Sequence, residues 1–242
     1  MKSLKKYLFG KKLRLNVIAI ILVIMVLAPM VAAAEKPNPG VVPVNSNFHG
    51  KTYGDWSAEW WKWVLSIPAD RNPLNDTTGK FTTEAQSGDV WFLTGSWIGT
   101  KELKINVPAG KAIFFPIINA ECSKIEGNGN TQKELRAAAK ALIDNVTVKE
   151  AIIDGRRLNL DNYRVASKLF YFRLPAENNI LNVTVPPYSS PAVSDGYWIM
   201  LKPLSEGKHK IYIYGKAEHV PPDNSEFVTE MNYTLNVMPK RC

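Results

Sequence analysis

Residues 230–237, Glu230-Met231-Asn232-Tyr233-Thr234-Leu235-Asn236-Val237, alternate polar and apolar side chains without a break. Successive side chains of a strand point to opposite faces, so this run predicts a strand with one buried and one wet face. Working back along the chain, comparable short runs occur at 90–97, 103–107, 111–119, 147–153, 169–174, 180–185, 197–201 and 210–214. Asp154-Gly155 is a strong hairpin signal, because both residues tolerate the positive φ of a tight turn. Many short strands separated by Gly, Pro and Asn predict a mainly β fold: an antiparallel β-sandwich or jelly roll, with a closed barrel as the alternative.

Two helices interrupt the strands. The first is expected at about 56–67, with Asp55 as N-cap and Pro68 ending it. Trp56, Trp60, Trp63, Val64 and Ile67 form one stripe, Trp61 and Leu65 lie off it, and only Glu59, Lys62 and Ser66 give a polar edge. Such a helix is expected to be buried on most sides. The second is expected at 132–144, where Thr131 and Glu134 make a capping box and Leu135, Ala138, Ala139, Leu142 and Ile143 follow a helical period.

The chain has 242 residues, 45% hydrophobic and 21% charged, which excludes wholesale disorder and fibrous repeats. The net charge of +8 is local: Lys2, Lys5, Lys6, Lys11, Lys12 and Arg14 precede the first acidic residue, and the remainder is nearly neutral. A nucleic-acid partner is therefore not expected. The basic start, the apolar run 17–27, Pro29 and the Ala-rich end with Ala32 and Ala34 predict a signal peptide over 1–34, with an uncleaved anchor as the rival. In that rival reading the membrane is met only through this segment. Residues 35–52, rich in Pro, Asn and Gly, are expected to form a flexible N-terminal arm, and 53–242 a single β-rich domain. A secreted or cell-surface location follows. Cys122 and Cys242 then either form a disulfide or remain two thiols. Asn75, Asn145, Asn182 and Asn232 begin Asn-x-Thr sequons, usable only in a glycosylating host.

Chemistry-bearing residues are few. Four tryptophans within 56–63 can stack on sugar rings or pack a core; Trp61, off the main stripe, is the candidate ligand contact. Trp91 and Trp97 are expected to share one face of a strand. Glu59, Glu121 and Asp55 sit near aromatic segments and could supply the two carboxylates of a glycosidase. Asp55 as a cap and Glu59 as a partner of Lys62 are the plainer readings. Asp70, Asn72, Asn75 and Asp76 make an oxygen-rich loop that calcium could use, although the EF-hand pattern is missing. His49, His209 and His219 show no zinc spacing, and no nucleophile elbow or phosphate loop occurs, so no cofactor is expected.

One resemblance extends over residues 53–121. Tyr53-Gly54-x-Trp56-Ser57-Ala58-x-Trp60-Trp61-x-Trp63, then Asn72-Pro73-Leu74 and Asp76-Thr77-Thr78-Gly79, resemble a group of exported prokaryotic proteins of uncharacterised activity. Gln86-Ser87-Gly88, Val90-Trp91-Phe92-Leu93, Val107-Pro108-Ala109-Gly110-Lys111 and Phe114-Phe115-Pro116 fit the same pattern, with an echo at Gly207-Lys208-His209. The resemblance implies an exported domain and brings no activity with it. The expected function is non-catalytic: binding a glycan or a cell-surface protein, or structural work outside the cytoplasm. The alternative is a carbohydrate-active or other hydrolase with paired carboxylates in a tryptophan-lined cleft.

Overall fold

The segments with the strictest alternation, Gly99–Pro108 and Ser225–Met238, keep one face buried and one outward. A computed structural model describes residues 40–97, 99–185 and 189–239. In chain order they form α1 (Tyr53–Leu65), a 3-10 turn (Ala69–Arg71), β1 (Val90–Phe92), β2 (Gly99–Pro108), β3 (Ala112–Ser123), α2 (Gln132–Asp144), β4 (Val146–Ile153) and β5 (Arg156–Arg157). The short strands β6 (Arg164–Ala166) and β7 (Phe170–Phe172) follow, then the long β8 (Ser190–Leu201), β9 (Gly207–Val220) and β10 (Ser225–Met238). The expected signal peptide over 1–34 and Cys242 lie outside the described residues.

The fold is mainly β, with two helices and two open sheets layered as a sandwich. One sheet runs β1-β3-β8-β6, with β7 also on β8; the other runs β2-β10-β9-β4-β5. Neither sheet closes on itself, so the barrel alternative does not hold. The sheets are also mixed rather than antiparallel: β1 lies parallel to β3 and β2 parallel to β10. Alternation reports faces and carries no information on strand direction, which is why the sequence did not reveal these pairs. The stretch 180–185 is no strand, and Asn179 instead closes it locally with bonds to Val183. The Asp154-Gly155 hairpin forms as expected.

Between the sheets, Leu103, Ile105, Val107, Ile113, Phe115, Ile199, Ile211, Ile213, Tyr233 and Leu235 make one core. On the outer face of the first sheet, Ala112, Phe114, Trp198 and Met200 meet α1 through Tyr53, Trp60, Val64 and Leu65. β3 is thus covered on both faces, which explains its continuous apolar run from Ala112 to Ile118.

The first helix begins three residues earlier than expected. Thr52, not Asp55, is the N-cap; Asp55 occupies the third position of a capping box and returns a bond to the Thr52 backbone. The arm is not free from residue 40 onward. Val42 is buried and its N–H donates to Met200 O, and Gly40 O accepts from Lys202 N–H. The buried Tyr53 hydroxyl fastens this arrangement, donating to Val42 O at 2.6 Å and accepting from Met200 N at 3.1 Å.

Tyr53→Phe deletes one oxygen and strands two buried backbone groups, so it should cost about 2 kcal/mol. Urea titration of the variant measures this. An unchanged midpoint would mean that the hydroxyl does not anchor the arm.

Candidate functional site

The four helix tryptophans divide by what their ring N–H groups meet. Trp56 donates to Phe48 O at 2.9 Å, Trp60 to Leu93 O at 2.8 Å and Trp63 to Glu84 O at 2.9 Å. Each of these acceptors belongs to a segment that wraps α1. Trp61 Nε1 is buried and has no partner. A buried indole donor normally finds one; Trp91 Nε1 and Trp198 Nε1 share this lack inside the core, whereas Trp61 borders open space.

Trp61 lines a pocket of about 230 Å³ together with Trp60, Trp97, Asn119 and Glu121. Leu74, Ser96, Leu142, Phe227 and Thr229 complete the wall. Trp60 and Trp61 meet edge to face at 5.0 Å, which sets the plane of the inner wall. Trp97, 38% exposed, forms the rim. Its Nε1 donates to Asn75 Oδ1 at 3.2 Å, and Asn75 in turn donates to Ala69 O. The expected shared face of Trp91 and Trp97 does not exist, because β1 stops at Phe92 and leaves Trp91 in the inter-sheet core.

Asn119 and Glu121 reach the pocket because β3 bulges between Pro116 and Ile118. The extra residue bends the strand and resets its alternation. Two glycines make room. A Cβ on Gly196 would lie 2.6 Å from Asn119 Cβ, and one on Gly215 would lie 2.7 Å from Ile118 Cβ. Beyond the bulge, Asn119 Nδ2 and Glu121 Oε1 are also buried without partners. Burial pushes the Glu121 carboxyl well above the ordinary range, and the adjoining Glu126 carboxylate raises it further. Ser123 supports that pair by donating to Glu126 Oε2 at 2.8 Å.

Of the residues singled out by sequence, Trp61 and Glu121 come together. Glu59 does not join them: Lys62 holds it at 3.0 Å and Lys51 at 3.3 Å on the helix surface. Burial alone would raise Glu59, but these two ammonium groups outweigh it and lower it. Asp55 is occupied in the capping box and is lowered mainly by the Thr52 hydroxyl. The carboxylate beside Glu121 is Glu126, in direct hydrogen-bonding contact, and this leaves no gap for a sugar ring between two acids. Asn119, Trp97 and Phe227 were not legible as site residues, since only the long-range packing of β3, β10 and the 93–97 loop gathers them.

The oxygen-rich loop is held by its own backbone. Asn72 donates to Val64 O and Ile67 O and accepts from Leu74 N. Asp76 accepts from the backbone N–H of Thr78, Gly79 and Phe81 and from the Thr78 hydroxyl. Burial tends to raise Asp76, but these donors prevail and lower it. Asp70 is exposed on the 3-10 turn. Among the described residues no cluster of three or more His, Cys, Asp or Glu side chains could hold a metal. Lys101, 5% exposed, fastens the loop to the second sheet by donating to Leu74 O at 2.6 Å.

Cys122 is a buried thiol pushed up to about 12, chiefly by burial, and its expected partner lies outside the described residues. Of the sequons, Asn75 and Asn182 are exposed, while Asn145 and Asn232 are half-buried. His209 clasps the hairpin, with Nδ1 2.7 Å from Asp154 Oδ2 and Nε2 2.9 Å from Ser205 O. No family model, curated protein or solved structure matches the chain. No helix among the described residues is long and apolar enough to cross a membrane.

Two outcomes follow from the carboxylates. The folded Glu121 value lies above the unfolded one, so its contribution to stability is full below about pH 4.3 and fades as pH rises through the folded value. Infrared spectra across pH should therefore show a protonated carboxyl band that persists to higher pH than that of an ordinary glutamate and that Glu121→Gln removes; spectra identical in both proteins would refute this. Asp76 has the opposite sign, stabilising above about pH 3.9 and losing effect as pH falls through its lowered value. The stability gap between the wild type and Asp76→Asn should therefore shrink in acid, as read by thermal melts across pH.

Proposed function

We propose that this chain is an exported, non-catalytic binding protein whose pocket takes a small uncharged ligand bearing hydroxyl groups, with a terminal sugar ring as the best fit. One observation carries the reading: three residues that each bury an unpartnered polar atom, Trp61, Asn119 and Glu121, line one tryptophan-walled pocket. Unpaired buried donors are costly, and a ligand that satisfies them recovers that cost on binding. Trp61 and Asn119 offer N–H donors, and Glu121 Oε1 offers an acceptor while the other side of the carboxyl meets Glu126. A hydroxylated ring answers all three. Indole faces suit the C–H faces of such a ring. A charged ligand fits less well, because no free cation or metal cluster lines the pocket among the described residues.

The location outside the cytoplasm is supported by the basic and apolar N-terminal sequence and by the resemblance to exported prokaryotic proteins. The glycosidase alternative loses its main support, since Glu59 and Glu121 are not paired across the pocket.

Calorimetric titration with methyl and 4-nitrophenyl glycosides of glucose, galactose, mannose and N-acetylglucosamine tests the proposal. At least one should bind to the wild type. Trp61→Phe, which keeps a ring but removes the donor, should weaken that binding by roughly tenfold. Glu121→Gln should stay within about threefold, since the amide keeps both a donor and an acceptor. Release of nitrophenol that Glu121→Gln abolishes would replace this reading with the hydrolase, and a silent panel would overturn it.

A further inference from the structure

The pocket does not end at Asn119. A second hollow of about 240 Å³ adjoins it, and Asn119, Ala120, Leu142 and Phe227 line both. The two compartments therefore lie side by side, from α1 along the end of β3 to the β9–β10 hairpin, with these four residues common to both walls.

Their chemistry differs sharply. The first holds the unpartnered donors and three tryptophans. The second is walled by Ile118, Leu142, Ile143, Ala217, Val220 and Phe227. Its own polar side chains are Ser225 and Glu226, both exposed on the hairpin. Among the described residues, the only buried unpartnered side-chain atom belonging to its wall is the shared Asn119 Nδ2.

That contrast decides what can follow a sugar ring into the cleft. A second sugar would carry hydroxyl groups against aliphatic walls that return no hydrogen bonds, a net loss against water. A hydrocarbon chain would leave water without stranding any polar group. Resting on the reading of the first compartment given above, we propose that the whole cleft binds an amphiphile. Its hydroxylated head lies between Trp61, Trp97 and Glu121, and a short alkyl or acyl chain lies in the Ile143–Ala217–Val220 hollow.

The test is a homologous series of methyl, butyl, hexyl and octyl glycosides of the four sugars, titrated calorimetrically below micelle-forming concentrations, with the matching disaccharides alongside. Affinity should rise about fourfold per added methylene until the hollow is full, then level off. Disaccharides should bind no better than methyl glycosides. Val220→Trp, at the half-buried end of β9, fills the hollow and should flatten the chain-length series while leaving the methyl glycoside unchanged. Ala217→Leu, a smaller filling change, should cut the gain part way. Equal binding of methyl and hexyl glycosides, or tighter binding of disaccharides, would overturn the amphiphile and leave the sugar pocket standing. A chain-length gain that survives both variants would overturn the assignment of the tail to this hollow. Failure of every glycoside, short or long, would overturn the pocket reading as well.

Discussion

A helix with tryptophan at 56, 60, 61 and 63 has almost no side to give to water, and the rest of the molecule is arranged around that constraint. Trp60 is the centre of it, 1% exposed, with its ring 5.4 Å from Trp198 and its N–H on Leu93 O. Trp198 in turn stacks on Phe114 at 5.1 Å with the rings nearly parallel. One sheet face alone cannot cover such a helix. The chain before it, from Gly40, and the chain after it, through Leu93, therefore wrap the exposed sides and supply carbonyls to three of the four indoles. This accounts physically for much of the motif block at 53–93. Asn72 and Asp76 shape the wrapping loop, Gln86 pins it to Phe92 with two bonds, and Lys101 ties it to the second sheet.

The site arises where this wrapping stops. Trp61 faces the end of the sandwich, where β3 has bulged and α2 closes over β8, β3 and β9. Arg164 holds that end together, gripping Asp195 through two nitrogens and reaching Asp144 at the end of α2 at 2.8 Å. The bidentate fork to Asp195 fixes the guanidinium on the first sheet, and its remaining nitrogen ties the end of α2 to that fixed point. Leu142, on the same helix, therefore stands in a fixed place as a wall common to both compartments of the cleft.

What the sequence made legible followed the periodicities. The 132–144 helix, its capping box and the inward face of β10 come straight from local patterns, because each is decided by residues within a few positions. The start of α1 was misplaced because Asp55 is an equally good cap in isolation; only the Thr52 backbone shows which residue lies outside the helix. Parallel pairing of β2 with β10 joins segments some 130 residues apart, for instance Leu103 with Tyr233, and no local signal records it. Trp61 stood out from the helical stripe. Glu121 was noticed for the wrong reason, as half of a pair with Glu59. Asn119, the residue at the junction of the two compartments, reads in sequence as an ordinary strand end.

A sequence that specifies its fold obeys the same rules at every level, and departures concentrate where another purpose competes with stability. Trp91, Trp198 and Ser194 each bury an unpartnered polar atom elsewhere, but most of the core around α1 obeys those rules: Tyr53, Trp56, Trp60, Trp63, Asn72 and Asp76 all satisfy their polar atoms. Trp61, Asn119 and Glu121 do not, and they are neighbours. Glutamine in place of Glu121 would avoid burying an ionisable acid beside Glu126, and phenylalanine in place of Trp61 would avoid an orphaned donor. The chain instead carries three unsatisfied groups together at a place where aromatic walls and an adjoining aliphatic hollow give a ligand room.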